Sequence, residues 1–311
     1  MERREEKLYV FGPVPSRRLG RSLGVNNIPK KVCSYDCVYC QLGKTRLCSV
    51  ERRAYFNPYR IIPEVKERVE EVKEVDFITF VPDGEPTLDE NLGVEIRGVG
   101  EFGRVAVITN SSLLFMDDVK EDLAEADLVS LKVDAASEEV WKSVNQPCEG
   151  LVFSDVMKGI IDFSKRFSGE LITETMLVDG LNDSEEELRK IGEFLKELSP
   201  KTSYIAIPIR PPSYSSVRAA SKDKVDRAYM IFDASGLNPK LLNVPEEGEF
   251  HLGSSPKEGI LAITSVHPMR EESLKKALEE VGADFSVVEE LLRKRRLERL
   301  EYGGKVFYRK R

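Results

Sequence analysis

Short apolar runs alternate with helical patterns through most of the chain. The runs 77–81 and 105–108 are apolar at almost every position, which is typical of parallel strands buried on both faces. The predicted strands are 23–28, 76–81, 104–110, 128–134, 171–178 and 204–209. Helices are predicted over 58–74, 154–167 and 184–198, the last with a capping box of Ser184 and Glu187. This order fits a β/α barrel, complete or partial, or an open doubly wound sheet, and periodicity does not decide between them.

The pattern changes after residue 236. The stretch 237–257 is rich in Pro, Gly and Glu and is predicted to be a linker. Two further helices are predicted, over 271–281 and from Ser286 with Glu289 as its capping partner, followed by two strands around a Gly303-Gly304 turn. The predicted units are therefore a domain over 1–236, a linker over 237–257 and a winged-helix-like domain over 258–311.

Composition narrows the class of protein. The longest run without a charged residue, 105–116, is too short for a membrane helix, and the N-terminal residues lack an apolar signal core. We therefore expect a cytoplasmic protein with no membrane partner. In a reducing compartment, five cysteines favour metal or redox chemistry over disulfides. Although the net charge is −7, residues 1–53 hold 12 basic and 5 acidic side chains, and residues 293–311 hold 9 and 2. These two basic ends have two explanations that stay open: ordinary solvated charge, which charge alone favours, or a nucleic-acid partner for the C-terminal domain.

The segment Cys33-Ser-Tyr-Asp-Cys37-Val-Tyr-Cys40 carries the most specific chemistry. Three thiols at this spacing can point inward from one loop and bind a soft metal centre. A structural zinc ion needs four ligands, for which Cys48 is the nearest candidate. A four-iron cluster bound by three cysteines would instead leave one iron open for a ligand. The spacing alone leaves both alternatives open.

With Tyr39 before its last cysteine, this CxxxCxxC segment resembles the motif of the radical S-adenosylmethionine (SAM) superfamily. The resemblance implies a partial (β/α)6 barrel and a [4Fe–4S] cluster held by Cys33, Cys37 and Cys40. It also implies that SAM binds the open iron and is cleaved reductively to a 5′-deoxyadenosyl radical. A flavodoxin- or ferredoxin-type protein would deliver the electron.

The resemblance further assigns SAM contacts to polar residues at successive strand ends. The segment Asp83–Pro86 stands where the superfamily has its GGE motif, and further polar positions follow the next strands. Two plainer explanations stay open from the residues alone: a Gly-Pro turn at 84–86, and a buried ion pair between Lys132 and Asp134. The implied contacts are Gly84, Glu85, Asn110, Ser111, Lys132, Asp134, Glu174 and Met176.

Segments 15–24, 84–88, 130–134 and 145–147 resemble the branch related to the wybutosine-synthesising tRNA radical enzyme. That branch's archaeal enzyme carries a second cluster near its N-terminus, whereas this chain has no cysteine before Cys33. The substrate is therefore an open question, with tRNA or another nucleic acid as one class. The alternatives are a protein or peptide substrate, or a non-catalytic metal-bearing regulator that binds nucleic acid. Two interpretations stay open for Arg17, Arg18 and Arg21: they bind a phosphate or carboxylate, or they are surface or ion-paired side chains.

Overall fold

A computed structural model describes residues 9–72, 74–244 and 248–311. Its strands are β1 (Val10–Ser16), β2 (Gly20–Val25), β3 (Val32–Cys33), β4 (Leu47–Cys48), β5 (Phe77–Phe80), β6 (Val105–Thr109), β7 (Leu128–Lys132), β8 (Glu170–Met176), β9 (Thr202–Ala206), β10 (Pro239–Leu242), β11 (Met269–Arg270), β12 (Leu297–Tyr302) and β13 (Lys305–Lys310). Its helices are α1 (Pro58–Val72), α2 (Leu92–Gly100), α3 (Asp117–Leu123), α4 (Glu138–Asn145), α5 (Phe153–Arg166), α6 (Glu185–Leu198), α7 (Lys222–Ala234), α8 (Pro256–Val266), α9 (Glu271–Glu280) and α10 (Ser286–Arg293), with a 3-10 turn at Pro86–Leu88.

One sheet of eight strands forms the body of the protein, in the order β1-β2-β5-β6-β7-β8-β9-β10. Every neighbouring pair is parallel except β1 and β2. The six predicted strands correspond to β2 and β5–β9, so the predicted partial barrel is confirmed. The two strands that were not predicted, β1 and β10, lie at the sheet edges. The prolines at 13 and 15 are compatible with β1 because an edge strand has backbone N–H groups to spare.

The two faces of the sheet are packed differently, and this excludes the doubly wound alternative. Side chains of α1, α2, α5, α6 and α7 form one large core with the outer face of the sheet. A smaller cluster on the inner face is built, within the described ranges, from strand and loop residues alone, including Phe77, Leu128, Ile172 and Tyr204. Helices on one face and a lumen on the other are the arrangement of a curled half-barrel.

The predicted linker is partly structured. Pro239–Leu242 within it pairs in parallel with β9 and extends the sheet beyond residue 236. The segment was hard to recognise because two of its four strand residues, Lys240 and Leu241, are exposed, as expected at a sheet edge.

The C-terminal segment has its own three-stranded sheet, in the order β11-β13-β12. The helices α8, α9 and α10 share a hydrophobic core with this sheet. The two predicted helices and the hairpin are present, although the predicted cap of α10 is wrong. Its N-cap is Phe285, and the Ser286 N–H donates to Asp284 Oδ1 at 2.8 Å. The core of this segment also includes Phe11 and Val14 of β1, so it packs against the edge of the sheet. The winged-helix class of this segment stays a prediction.

None of the helices in the described part is long and apolar enough to cross a membrane. The predicted location in the cytoplasm stays a prediction.

Candidate functional site

The three cysteines of the CxxxCxxC segment are free thiols on a partly buried loop that begins at β3. The end of α4 holds this loop: the Asp36 N–H donates to the Asn145 carbonyl at 3.1 Å, and the Val38 N–H to the Val144 carbonyl at 3.0 Å. No three His, Cys, Asp or Glu side chains of the described residues converge on a site for a single metal ion. A zinc ion requires such convergence, whereas the irons of a cluster bind thiolates one by one.

Cys48 is bonded to Cys148, which corrects the expectation that these cysteines favour metal or redox chemistry over disulfides. The pair has a Cα–Cα distance of 5.5 Å and a sequence separation of 100 residues. Cys48 pairs with Cys33 across β3 and β4, and the Cys148 N–H donates to the Ser34 carbonyl at 3.0 Å. The disulfide therefore ties the cysteine loop to the segment after α4. It also removes Cys48 as the fourth ligand of the zinc alternative.

Burial disfavours ionisation of the free thiols. It raises the pKa of Cys33 to about 12, with the Glu85 carboxylate adding to the effect, and it raises the pKa of Cys37 still further. A bound metal centre would be needed to stabilise these thiolates, so its binding should release protons. Lys31 lies beside them: burial alone would lower its pKa, but its interactions with Cys40, Cys33 and Cys37, which favour the ammonium form, raise it overall.

Glu85 is fully buried and fixed in place after β5. Its carboxylate accepts the Thr109 hydroxyl at 2.6 Å, the Thr87 hydroxyl at 2.7 Å and the Asn110 N–H at 2.8 Å. Burial nevertheless raises the pKa of Glu85. Gly84 is required for a reason that the sequence did not show: a Cβ there would lie 1.8 Å from the Val32 carbonyl oxygen. The close approach at Gly84 is therefore to the backbone of the cysteine loop.

Asn110 and Ser111 follow β6 and differ in their partners. The Asn110 amide donates to Ser34 Oγ at 2.9 Å and lies 3.6 Å from Cys33 Sγ, so it faces the cysteine loop. Ser111 has a left-handed backbone with φ 68°, and its buried Oγ has no hydrogen-bond partner among the described residues. That hydroxyl fits a polar group of a bound ligand, because buried polar groups are seldom left unpaired.

A chain of alternating charges crosses the lumen. Glu174 on β8 forms ion pairs with Arg18 and with Lys132, the latter at 3.0 Å, and Lys132 also lies 3.2 Å from Asp134. Asp134 further accepts the Tyr39 hydroxyl and, at 2.8 Å, the Asn145 amide. Although burial opposes it, the charges of Arg18 and Lys132 lower the pKa of Glu174 to about 2. The ion pair between Lys132 and Asp134 is thus present as one link of a longer network.

A cavity of about 300 Å³ opens beside this network. It extends from Cys40 and Tyr39 on the cysteine loop to Lys132, Glu174 and Met176 on the sheet. Among the described residues, the remaining predicted SAM contacts lie outside its lining: Gly84, Glu85, Asn110, Ser111 and Asp134.

The C-terminal segment forms part of the cavity wall through Val266 and His267. Gln41, next to Cys40, donates to the Val266 carbonyl at 3.0 Å and accepts from Arg210 Nη1 at 3.1 Å. The other Nη of Arg210 lies 2.9 Å from His267 Nε2. These contacts fix the C-terminal segment beside the cysteine loop, and neither Gln41 nor Arg210 was singled out by a motif for this role.

The three arginines predicted to bind an anion are separated in the structure. Arg17 donates to the Leu242 carbonyl at 2.5 Å and so joins the β1–β2 turn to β10 at the opposite sheet edge. Arg18 pairs with Glu174 in the lumen, and Arg21 lies outside with Glu74. Arg17 and Arg18 line the cavity, so the anion-binding prediction now concerns these two alone.

Residues 27–192 match the radical SAM superfamily. The chain belongs to this superfamily. Its relatives include UPF0026 protein MJ1312 of Methanocaldococcus jannaschii, 46% identical over 97% of this chain and 95% of that protein. A probable dual-specificity RNA methyltransferase RlmN of Endomicrobium trichonymphae is 25% identical over 66% of this chain and 60% of its own length. The radical SAM methyltransferase structure from Sphaerobacter thermophilus superposes with a TM-score of 0.53 at 16% identity, covering 71% of this chain and 66% of that one.

Radical SAM proteins bind a [4Fe–4S] cluster and SAM, which confirms the predicted cofactors. The residues present fit both groups. Three free thiols share one loop, and Asn110, which precedes the orphaned Ser111 hydroxyl, contacts Cys33. A cavity that Lys132 and Glu174 help to line begins at Cys40. The narrower wybutosine-related branch stays a prediction.

Proposed function

We propose that this chain is a radical SAM enzyme that holds its cluster on Cys33, Cys37 and Cys40 and binds SAM in the adjoining cavity. The observation that carries the proposal is the cavity of about 300 Å³ that joins Cys40 to the charged groups of Lys132 and Glu174. When bound, SAM would supply the chemistry: one electron, passed through the cluster, would break its C5′–S bond to give methionine and a 5′-deoxyadenosyl radical that abstracts a hydrogen atom from the substrate.

The protein's own residues would hold the ligand in two ways. Glu174, Lys132 and Met176 line the cavity and can touch SAM directly. Glu85 and Ser111 lie outside the lining of this cavity, so they would bind the methionine end only where SAM extends past the lining towards the ends of β5 and β6. There a fixed carboxylate suits an ammonium and the unpaired hydroxyl suits a carboxylate.

Three other predicted contacts would act through their neighbours. Gly84 leaves room for the Val32 carbonyl, and Asn110 contacts Cys33 and Ser34. Asp134 forms an ion pair with Lys132 and accepts a hydrogen bond from Tyr39. This division refines the SAM contacts that the resemblance assigned.

Anaerobic reconstitution tests the catalytic proposal. After loading with iron and sulfide, the protein should release 5′-deoxyadenosine from SAM when dithionite or a flavodoxin- or ferredoxin-type protein supplies electrons. Cys37→Ala should abolish the release, while Cys148→Ala should retain it, and Cys48→Ser/Cys148→Ser, which also removes the thiol that Cys148→Ala frees, should retain it as well. If a fully loaded cluster releases no 5′-deoxyadenosine, the proposal fails.

For the substrate we propose RNA. The similarity to a probable RNA methyltransferase gives one reason. The second is that the two basic ends of the chain meet: Lys30 Nζ donates to the Lys310 carbonyl at 2.9 Å, and Arg309 Nη1 to the Gln41 carbonyl at 3.1 Å. Residues near Lys30 and Gln41 thus lie against the end of β13 beside the cavity, and Lys44 and Arg46 are exposed there, although Lys305 and Arg309 are paired with Glu272 and Glu298. We propose that this basic face binds the RNA. A polyanion lying on this face would pass the cavity.

Filter binding of tRNA at increasing salt tests this surface. Lys44→Glu/Arg46→Glu should weaken binding and flatten its salt dependence, since each lost phosphate contact removes about one counterion from the slope. Lys158→Glu/Lys196→Glu, which makes the same charge change on the outer helices α5 and α6, should bind like the parent. Equal loss in both double variants would mean non-specific attraction and would refute the RNA face.

A further inference from the structure

Each of the three motif thiols faces a different side-chain N–H donor. N–H···S contacts are longer than those to oxygen because sulfur is the larger atom. The three contacts are Lys31 Nζ to Cys40 Sγ at 3.1 Å, Asn145 Nδ2 to Cys37 Sγ at 3.5 Å, and Asn110 Nδ2 to Cys33 Sγ at 3.6 Å.

Lys31 is held rigidly in this position. Its side chain is 4% exposed, and its backbone has φ 60°, in the left-handed region that is costly for a residue with a Cβ. The Lys31 N–H donates to the Asp83 carbonyl at 2.9 Å, while its own carbonyl accepts the Arg46 N–H at 2.9 Å. The chain therefore maintains an unfavourable conformation that brings a buried ammonium group to the Cys40 sulfur.

The two amides are equally well fixed. Asn145 is 2% exposed and donates to Asp134 Oδ2 as well as towards Cys37. Asn110 accepts the Ser112 N–H at 3.0 Å through Oδ1, which orients its Nδ2 group towards Cys33. Neither donor depends on a mobile surface side chain for its orientation.

From this geometry we infer that Lys31, with Asn110 and Asn145, sets the reduction potential of the cluster. The inference rests on the proposed assignment of the cluster to Cys33, Cys37 and Cys40. Lys31 is a positioning and tuning residue: it acts on the cluster through a ligand sulfur and touches no substrate.

The direction of the effect follows from charge. Three thiolates and an oxidised [4Fe–4S]²⁺ core carry a net charge of about −1, and one-electron reduction to [4Fe–4S]⁺ makes it about −2. A buried cation stabilises the more negative state, so it raises the potential, and the low local dielectric strengthens that effect. The neutral amides act in the same direction but more weakly, because charge-assisted hydrogen bonds are roughly twice as strong as neutral ones.

The test is a redox titration of the reconstituted protein without SAM, followed by the electron paramagnetic resonance signal of the reduced cluster. Dithionite supplies the electron, and no other bond changes. Lys31→Met should lower the midpoint potential by at least 59 mV, which is a tenfold change in the one-electron equilibrium. Lys31→Arg should restore most of that shift, and Asn145→Ala should lower the potential less than Lys31→Met does.

Lys30→Met is the matched control, because Lys30 is the neighbouring lysine but donates to the Lys310 carbonyl instead of a sulfur. It should leave the potential of the parent unchanged. Since only cluster-bearing molecules give the signal, reduced folding yield does not obscure the result. If Lys31→Met loads poorly, Lys31→Gln provides a second neutral variant.

The possible failures are distinguishable. A parent protein that forms no cluster, or one whose cluster survives loss of the three cysteines, would overturn the proposed function. A loaded Lys31→Met or Lys31→Gln protein whose potential matches Lys30→Met would overturn the role of Lys31 alone.

Discussion

Gly84→Ala separates two explanations for the glycine that follows β5. The resemblance to the radical SAM motif implies that this glycine lets the backbone approach a ligand. In the structure, the added Cβ would lie 1.8 Å from the Val32 carbonyl oxygen and 2.9 Å from the Val32 carbonyl carbon. The obstacle is thus the backbone next to Cys33, which is present whether or not SAM is bound.

The size of the effect follows from that contact. Real Cβ atoms essentially never approach another heavy atom within 3.0 Å, so the Val32 carbonyl must retreat by 1.2 Å, the difference between 3.0 and 1.8 Å. The Glu85 N–H donates to this same carbonyl at 3.1 Å, so the movement also disturbs that bond. Overpacking typically costs about 1–3 kcal/mol, and a backbone obstacle places this case near ~3 kcal/mol. The corresponding fall in Tm is roughly 5 °C for a chain of this size.

Thermal unfolding of the protein without cofactors measures this effect, with iron content after reconstitution as the second readout. Gly100→Ala is the matched control: it lies at the end of α2, where the nearest atom to a new Cβ is Val105 Cγ2 at 3.8 Å. Alanine favours a helix over glycine by up to about 1 kcal/mol, so the control should not lower Tm. Gly84→Ala should lower both Tm and iron content.

The refuting result is equally clear. If cofactor-free Gly84→Ala has the same Tm as Gly100→Ala and loads iron normally, but binds SAM poorly, then the glycine is needed for the close approach of SAM. The backbone explanation would then be wrong.

Three other predictions concern buried charge and the disulfide. Burial, with Asp89 nearby, raises the pKa of Glu95 to about 9. The folded state therefore keeps a proton that the unfolded state loses near pH 4.5, so the stability of the fold falls as pH rises between these two values. In urea unfolding, Glu95→Gln should be more stable than the parent by about 1–3 kcal/mol at pH 8 and should differ little from it at pH 4. Glu174, with a pKa of about 2, stabilises the fold at pH values above its unfolded pKa, and this contribution is lost as pH falls from about 4 to 2. Glu174→Gln should lower the free energy of unfolding by about 3–5 kcal/mol at pH 7, because it removes the carboxylate that pairs with Arg18. An unchanged urea midpoint would contradict this. Cys48→Ser/Cys148→Ser should cost about 2–4 kcal/mol in unfolding yet retain iron, and thiol titration of the unfolded cofactor-free parent should find three free thiols before reduction and five after it.

The sequence revealed local features more readily than distant contacts. Ser184 caps α6 as predicted, accepting the Glu187 N–H at 3.3 Å. The second half of the predicted capping box is absent, because Glu187 Oε1 accepts the Ala136 and Ser137 N–H groups instead. The first bond spans three residues and the others about fifty. A pattern of neighbouring positions therefore predicts the bond to Ser184, but it cannot predict the bonds from Ala136 and Ser137.

The same distinction explains the site. Apolar runs identify the strands, and the cysteine spacing identifies the chemistry, because both are periodic or local. The Cys48–Cys148 bond joins residues 100 positions apart, and Asn145 reaches Cys37 across 108 positions. Asn145 lies in a segment that the sequence associated only with a branch of the superfamily. Its contact with the thiol appears only when α4 packs against the cysteine loop.

We propose that the C-terminal segment contributes to the choice of substrate and not to the radical chemistry. Gln41, the residue after Cys40, donates to the Val266 carbonyl, and Arg210 contacts both Gln41 and His267. Val266 and His267 therefore form part of the cavity wall next to the cysteine loop. A substrate bound in the cavity would therefore lie beside this wall. The superfamily motif is compatible with many substrates because it sets the radical chemistry alone. Differences among relatives in residues 258–311 should therefore alter substrate binding while leaving SAM cleavage without substrate unchanged.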